Sequence, residues 1–423
     1  MNSLVKIRKF CRLCEHHEME TALPMGKSPI AEKYESSQAK SKEHEMVPLD
    51  LYYCRKCHHV QLLHVVDPHY LWADFTFKTG SKSVLVEHMM QEAKKIIAFS
   101  EIKPHELILD IGSNDGTFLK CFRNYGHKNL LGVEPVAEIA QVAIQGGIET
   151  AIGFMDLDRA AELLDRGQRA KLITAFNVYA HSDDLVIMTK SIKKVLSPDG
   201  LFVFEVSYLL DVVENSLIGT IFHEHLSYHS VTSLSLFLES QGLTFIRVER
   251  AEEQGGSLIG YAQRQGGPLK TDQSVALFLE NERAQKLNSI QPYLNLRKKL
   301  GFLSQEIAAL LDQIKRRGKV ICAFGAARSG TTLISYYNLS EYLTCIFDDN
   351  SEKQGKFSPG HGIEVLGTSK IIQIKPDFMI LLAWMHAEQI IANHQGFLER
   401  GGKFIEIHPQ LKVVDLNSTQ IEE

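Results

Sequence analysis

The chain has 423 residues, 44% of them apolar, enough for roughly two to three domains at about 150 residues each. A net charge of −5 argues against a broad basic face for nucleic acid, and the longest apolar runs, such as residues 378–384, fall far short of the ~20 residues that cross a membrane. Four of the seven cysteines sit in Cys-x-x-Cys couples, and no long apolar core follows the basic N-terminal residues. The expectation is a reduced, cytoplasmic metal protein rather than a secreted disulfide scaffold.

The couples Cys11-x-x-Cys14 and Cys54-x-x-Cys57 come first. Each turn presents two thiolates to one ion, which suits a closed tetrahedral Zn²⁺ site of structural kind. Two redox couples are the competing reading, but neither couple stands at a strand-to-helix start. His16, His17, His58 and His59 flank the couples as alternative ligands or as plain solvated residues. Residues 32–45 read as a polar loop and residues 49–53 as a strand. From about residue 74 to 105, Val84, Leu85, His88, Met89, Ala93, Ile96 and Ile97 recur at helical spacing.

Strands and helices then alternate: strands at 107–110, 130–134, 172–176 and 201–205, helices at 116–124, 136–146 and 184–196, and a turn at 197–200. A helix at 233–241 ends at Gly242, and closing strands follow at 243–248 and 258–262. This βαβα order predicts a doubly wound α/β sheet. Its first turn runs Asp110-x-Gly112-Ser113-Asn114-Asp115-Gly116, a loop that lets a ligand approach the backbone at a helix N-terminus. The glycines are not spaced as GxGxxG, and Glu134 closes the second strand where a carboxylate can accept ribose hydroxyls. That favours S-adenosylmethionine over NAD, with no cofactor as the third reading.

The third strand ends in Asn177-x-x-x-His181, and the fourth leads to His223-Glu224-His225-Leu226-Ser227-Tyr228. Such a His-Glu-His cluster suits general-base work; a metal site or an ordinary polar loop are the rivals. The His223-x-His225 spacing would put both imidazoles on one side of a strand. A long charged helix at 274–317 then connects to a second α/β unit, with strands at 319–324, 343–347, 378–384 and 403–407 and a glycine turn at Gly325–Gly330. The expected division is a zinc module over 1–68, a Rossmann-like cofactor domain over 69–273, a connecting helix over 274–315 and a C-terminal Rossmann-like domain over 316–423.

With these motifs in place, the chain resembles the C-methyltransferases that branch nucleotide-linked deoxysugars. The likeness runs essentially end to end and is carried by both cysteine couples, the Asp110–Gly116 turn, Asn177-x-x-Ala180-His181, Glu205 and His223–Tyr228. Gly255–Leu258, Gly325-Ala326, Lys353-Gln354-Gly355, Leu381–Trp384 and Gly401-Gly402 continue it.

The resemblance implies methylation of a carbon next to the ketone, C3 or C5, of a dTDP- or GDP-linked 4-keto-6-deoxy sugar by a monomer that uses S-adenosylmethionine and a structural zinc. It implies His225 as base, aided by Glu224, with His181 near the reacting sugar. It implies cofactor contacts from Asp110, Gly112, Asn114, Asp115, Gly116, Glu134 and Asn177, and substrate contacts from His223, Tyr228, Arg328 and Lys353. This chain departs from the family pattern at Phe77 and Phe222, where tyrosine is common, at Gln254 and Ile259, and at Arg328-Ser329-Gly330. The two phenylalanines keep open a methyltransferase acting on a non-sugar small molecule. A zinc module joined to a vestigial, non-catalytic fold is the third reading.

Overall fold

The computed structural model describes residues 4–73, 77–252 and 255–417. Gln254 and the first residues of the helix expected from residue 74 lie outside them.

The two cysteine couples fold as copies of one turn. In the first, the Cys11 amide donates to the His16 carbonyl and the Glu15 amide to the Cys11 carbonyl; in the second, Cys54, His59 and His58 repeat both bonds. Glu15 and His58 take the left-handed backbone that each turn requires, at φ 58° and 64°. The couples close on each other with Cys11 Sγ 3.5 Å from Cys57 Sγ and Cys14 Sγ 3.6 Å from Cys54 Sγ. All four sulfurs lie within 4.8 Å of one another. A tetrahedral ion with Zn–S bonds of about 2.3 Å would set its sulfurs about 3.8 Å apart, so the cluster fits zinc. The flanking histidines are engaged elsewhere: His58 Nδ1 meets the Tyr53 hydroxyl at 2.5 Å and His59 Nε2 meets Ser227 Oγ at 3.2 Å.

Around the cluster the front of the chain is richer in strands than its charge suggests. Met19–Leu23, Leu51–Cys54 and Val60–Leu62 form one antiparallel sheet, and Gln38–Lys42 is a helix, capped by Ser37, inside the expected loop. A strand from much later in the chain, Ser227–Tyr228, completes that sheet by pairing Ser227 with Gln61 and Tyr228 with Val60.

The central sheet holds β1 (Leu107–Ile111), β2 (Leu130–Glu134), β3 (Glu149–Ile152), β4 (Ala170–Phe176), β5 (Leu196–Ser207), β6 (Leu243–Ala251) and β7 (Ser257–Arg264). Their order is β3-β2-β1-β4-β5-β7-β6, parallel except for β7, which runs antiparallel to both neighbours. β1 and β2, in the middle of the sheet, are buried along their whole length because helices cover both faces. The predicted alternation is correct, with four adjustments, the first an unpredicted helix, Leu157–Asp165, before β4. β3 is added by the short segment after the second helix. The predicted 197–200 turn lies within β5, which starts at Leu196. The helix before β1 spans Ser83–Ser100 and stops where Glu101 turns left-handed, at φ 49°.

The expected single connector is two helices, Gln273–Ala284 and Gln291–Arg316. Lys286 at φ 56° breaks the run, and Pro292 sits in the first turn of the second helix, where a missing amide costs nothing. The second helix packs on the zinc module, with Tyr293 5.7 Å from Tyr53. The C-terminal sheet holds β8 (Ile321–Phe324), β9 (Ile346–Phe347), β10 (Val365–Leu366), β11 (Phe378–Leu381), β12 (Lys403–Glu406) and β13 (Lys412–Val414), in the order β10-β9-β8-β11-β12-β13. One apolar core runs from Cys11 through Tyr179 and Leu300 to Ile407 and so joins every part. No helix among the described residues is long and apolar enough to cross a membrane.

The geometry of the four sulfurs generates a first prediction. Cys54→Ser, or exhaustive chelation, should release the ion and cost on the order of 5 kcal/mol of stability. That is less than the roughly 10–16 kcal/mol a zinc-finger peptide gains from its ion, because the sheet around the site remains. Metal analysis and denaturant melts check it; an unchanged melt after complete metal loss would refute a structural role.

Candidate active site

At the carboxyl edge of the central sheet two loops meet a third from the C-terminal domain. The first follows β4. Asn177, at φ 56°, turns the chain, and its amide donates to the Glu205 carbonyl of β5. A short 3₁₀ turn, Tyr179–His181, then brings His181 forward. The second follows the helix Leu209–Glu214 and carries His223, Glu224 and His225 in a turn, not in the strand expected from their spacing. Strand pairing resumes only at Ser227, so the two histidines do not share a face.

His225 and His181 stack at 5.1 Å with 20° between their planes. Trp72 also stacks with His181, at 5.7 Å, and Phe222 lies 3.9 Å from His225. His225 Nδ1 lies 2.9 Å from the Thr220 carbonyl oxygen. That oxygen can only accept, so Nδ1 carries the proton and Nε2 carries the lone pair. Burial pushes the His225 imidazole down to about 4, and Arg328 adds to the shift. His181 is held well below its ordinary value by burial, with His225 and Arg328 contributing. Both rings are therefore neutral at physiological pH.

Glu224 is 4% exposed, and Arg328 Nη1 approaches its Oε1 to 3.8 Å. Burial raises the carboxyl and the guanidinium opposes that rise. Arg328 opens the helix Arg328–Tyr336 of the C-terminal domain, and Thr332 of the same helix donates to the Ile221 carbonyl at 2.6 Å. Tyr228 is fully buried, 6.5 Å from His225 in a T-shaped contact.

Two predicted substrate contacts are engaged with other parts of the chain. His223 Nε2 faces the Val47 carbonyl at 3.3 Å. Lys353 Nζ bonds Glu32 at 2.8 Å and the Ala326 carbonyl at 2.7 Å.

The cofactor loop has its own geometry. Glu134 accepts the Asn114 amide on Oε2 and the Val136 amide on Oε1, both at 2.9 Å. Each oxygen keeps a second lone pair, which is what the two hydroxyls of a ribose need. Asp110 is buried beneath the loop, accepts from Thr174 Oγ1 at 2.6 Å, and is pushed up to about 7 by burial. Asn114 and Asp115 accept the amides of Thr79 and Gly80 and so lay residues 77–81 beside the loop. Gly112, at φ 66°, is demanded by packing as well as by the turn: a Cβ there would meet Val178 at 2.3 Å. Gly116, at φ 74°, backs Ala143 and Ile148. The free acceptor lone pairs of Glu134 fit the ribose hydroxyls of S-adenosylmethionine.

Sequence reasoning missed Trp72, Thr220 and Arg12. A lone tryptophan, a threonine offering only its carbonyl and an arginine inside a metal motif carry no spacing signal.

Family models match the chain in three consecutive stretches: a zinc binding domain over residues 11–72, a methyltransferase domain over 85–248 and a C-methyltransferase C-terminal domain over 252–409. The C-methyltransferase NovU of Streptomyces niveus is 30% identical over 420 residues, 99% of this chain and 100% of that protein. Among solved structures, magnesium protoporphyrin IX methyltransferase from Synechocystis PCC 6803 with bound SAM shares 14% identity over 47% of this chain and 89% of that chain, at a TM-score of 0.33. The PH0226 protein of Pyrococcus horikoshii OT3 shares 13% over 46% of this chain and 99% of that chain, at 0.37. These two slight likenesses add nothing to the assignment, which the full-length relative and the three successive domains make: the chain belongs to the C-methyltransferase family and is an S-adenosylmethionine-dependent enzyme.

Proposed function

We propose that this enzyme methylates a carbon α to the ketone of a nucleotide-linked 4-keto-6-deoxy sugar, at C3 or C5, with His225 as the base. The observation that carries this reading is the neutral, single-tautomer His225 ring, its Nδ1 tied to Thr220.

A ring carbon becomes a nucleophile only when its α-proton leaves. Nε2 of His225 takes that proton, and the Nδ1 bond to Thr220 steadies the imidazolium that results. Burial makes this base ready at any physiological pH but weak, since each unit of lowered pKa removes about 1.4 kcal/mol of proton affinity. The enolate charge must therefore be stabilised by the site. Arg328 approaches Glu224 and bears on both imidazoles, which supports its charge as the one an enolate oxygen would gain from. Glu224 keeps that guanidinium beside the histidines.

When bound, S-adenosylmethionine supplies an electrophilic methyl group; Glu134 would hold its ribose, with Asn114, Asp115 and Asn177 shaping the crevice. His223 and Lys353 act in this reading from the seams they brace, and Tyr228 from behind His225. The reading takes the chain as a monomer in the cytoplasm, divided into domains near residues 68, 273 and 315.

Purified enzyme mixed with S-adenosylmethionine and a panel of dTDP-, GDP- and UDP-linked 4-keto-6-deoxy sugars should yield a product heavier by one methyl-for-hydrogen exchange, read by mass spectrometry. No product on any sugar, with the cofactor still bound, would favour a non-sugar acceptor. His225→Ala should lower kcat by about 10²–10⁴-fold, the range of general-base catalysis, while calorimetry shows the cofactor affinity unchanged.

Glu134→Ala removes a charged acceptor and should weaken cofactor binding by about 1.5–3 kcal/mol in the same calorimetric measurement.

The pH–rate profile is a further check. A base works unprotonated, so the rate falls as pH drops through its folded pKa. With His225 held at about 4, the acid limb of kcat should lie well below 6.5. An acid limb at or above 6.5 would contradict the buried, neutral base.

A further inference from the structure

Arg12 lies between the first two zinc-binding cysteines, yet its guanidinium hydrogen-bonds away from them. It is fully buried. Nη1 donates to Gln61 Oε1 at 3.0 Å, to the Leu62 carbonyl at 3.0 Å and to the Leu226 carbonyl at 2.6 Å. Nη2 approaches Asp183 Oδ1 to 3.3 Å. Leu226 directly follows His225, and Asp183 stands two residues after His181. The same guanidinium thus grips the backbone behind one imidazole and the side chain behind the other.

Its companions share the task unequally. Arg8 donates to both the carbonyl and Oδ1 of Asp183, and Lys6 approaches the same carboxylate at 3.5 Å, but neither reaches the His225 loop. The Leu62 amide donates to the Leu226 carbonyl at 3.0 Å but does not reach the His181 loop.

A buried guanidinium is a poor source of stability, because desolvating the charge offsets its pairing and an apolar side chain often serves as well. What it supplies is fixed geometry. Its planar fork holds several acceptors at set angles, which a flexible ammonium does not.

We propose that Arg12 is a positioning residue for methyl transfer: by bridging Leu226 and Asp183 it sets the spacing of the stacked His225 and His181 rings, and so registers the zinc module to the reacting centre. The proposal rests on the reading of His225 as base, and its test separates the two.

The test uses full-length, zinc-loaded enzyme with Arg12→Met and Arg12→Lys. Misplacing a catalytic group by about an ångström costs on the order of 10²-fold in rate. Arg12→Met should therefore lower kcat by about that factor, with acceptor KM, cofactor affinity and zinc content changed little. Arg12→Lys, which keeps a charge but not the fork, should recover part of the rate. Spectra of ¹³C-histidine-labelled protein without substrate, assigned by loss of each signal in His225→Ala and His181→Ala, should show both rings shifted in Arg12→Met.

Wild-type kcat and unshifted rings in folded Arg12→Met would overturn the proposal. So would a matching loss of cofactor affinity, which would mark a general loosening. If Arg12→Met does not fold, wild-type kcat with unshifted rings in Arg12→Lys overturns it. If instead His225→Ala retains methyl transfer, the base assignment fails, while the ring shifts still decide whether Arg12 sets the spacing.

Discussion

The arrangement of the site depends on a two-residue strand. Ser227–Tyr228 leaves the cofactor domain and completes the sheet of the zinc module, so the turn carrying His225 is anchored outside the fold that binds the cofactor. On its other side the same loop is held from the C-terminal domain, through Thr332 to the Ile221 carbonyl. A five-residue stretch, Phe222–Leu226, between two such anchors has little freedom. That explains why a turn, otherwise the most mobile kind of backbone, can carry groups whose task needs fixed positions. It also gives the zinc site a use without giving it chemistry. Four thiolates leave no open coordination position, but the ion closes the loop from Cys14 to Cys54 and thereby steadies the strand that Ser227 joins.

The two Rossmann-like units echo each other at one detail. In the first, the acid closing the second strand, Glu134, accepts a loop amide from Asn114 and the amide two residues on, Val136. In the second, Asp348 accepts from Ala326 at 2.6 Å and from Asn350 at 2.7 Å. Gly325, at φ 96°, backs Ala383 as Gly112 backs Val178. The same solution to one backbone problem appears twice, because a glycine turn leaving a strand exposes amides that an acid on the neighbouring strand can satisfy. The echo is one of physics rather than of sequence, and no repeat is visible in the residues themselves.

Features written in local spacing were legible from the chain alone. The cysteine couples, the glycine turn with Glu134, and the alternation of strands and helices depend on residues a few positions apart, and the couples and the alternation stand as read. What was not legible depends on partners far along the chain. The 223–225 spacing suggests a strand, but pairing with Val60 and Gln61 starts only at Ser227, so His223 goes to the Val47 carbonyl while His225 goes to the site. Lys353 reads as a substrate contact from its motif, which gives no sign of Glu32, the partner set beside it from over three hundred residues earlier. The single connecting helix is broken by Lys286, a residue that no propensity marks as left-handed. Arg12 was hidden by its own motif, since a residue between two metal ligands draws no separate attention.

Charge at the junction follows from the same tertiary constraints. Burial holds His181 and His225 neutral, and the cation between the domains, Arg328, reinforces that by lowering both. In the proposed mechanism a base that stays unprotonated surrenders proton affinity, and the same positive charge that weakens it would favour the enolate its action creates. On that proposal the two effects oppose each other at the ring and cooperate along the reaction, because proton removal would move negative charge onto an acceptor beside the guanidinium. Glu224 tempers that field by bringing a buried carboxyl to the cation. In the proposed reading the C-terminal domain thus contributes more than a wall to the crevice: by supplying Arg328 it would set the electrostatic balance under which a weak, well-placed imidazole is an adequate base.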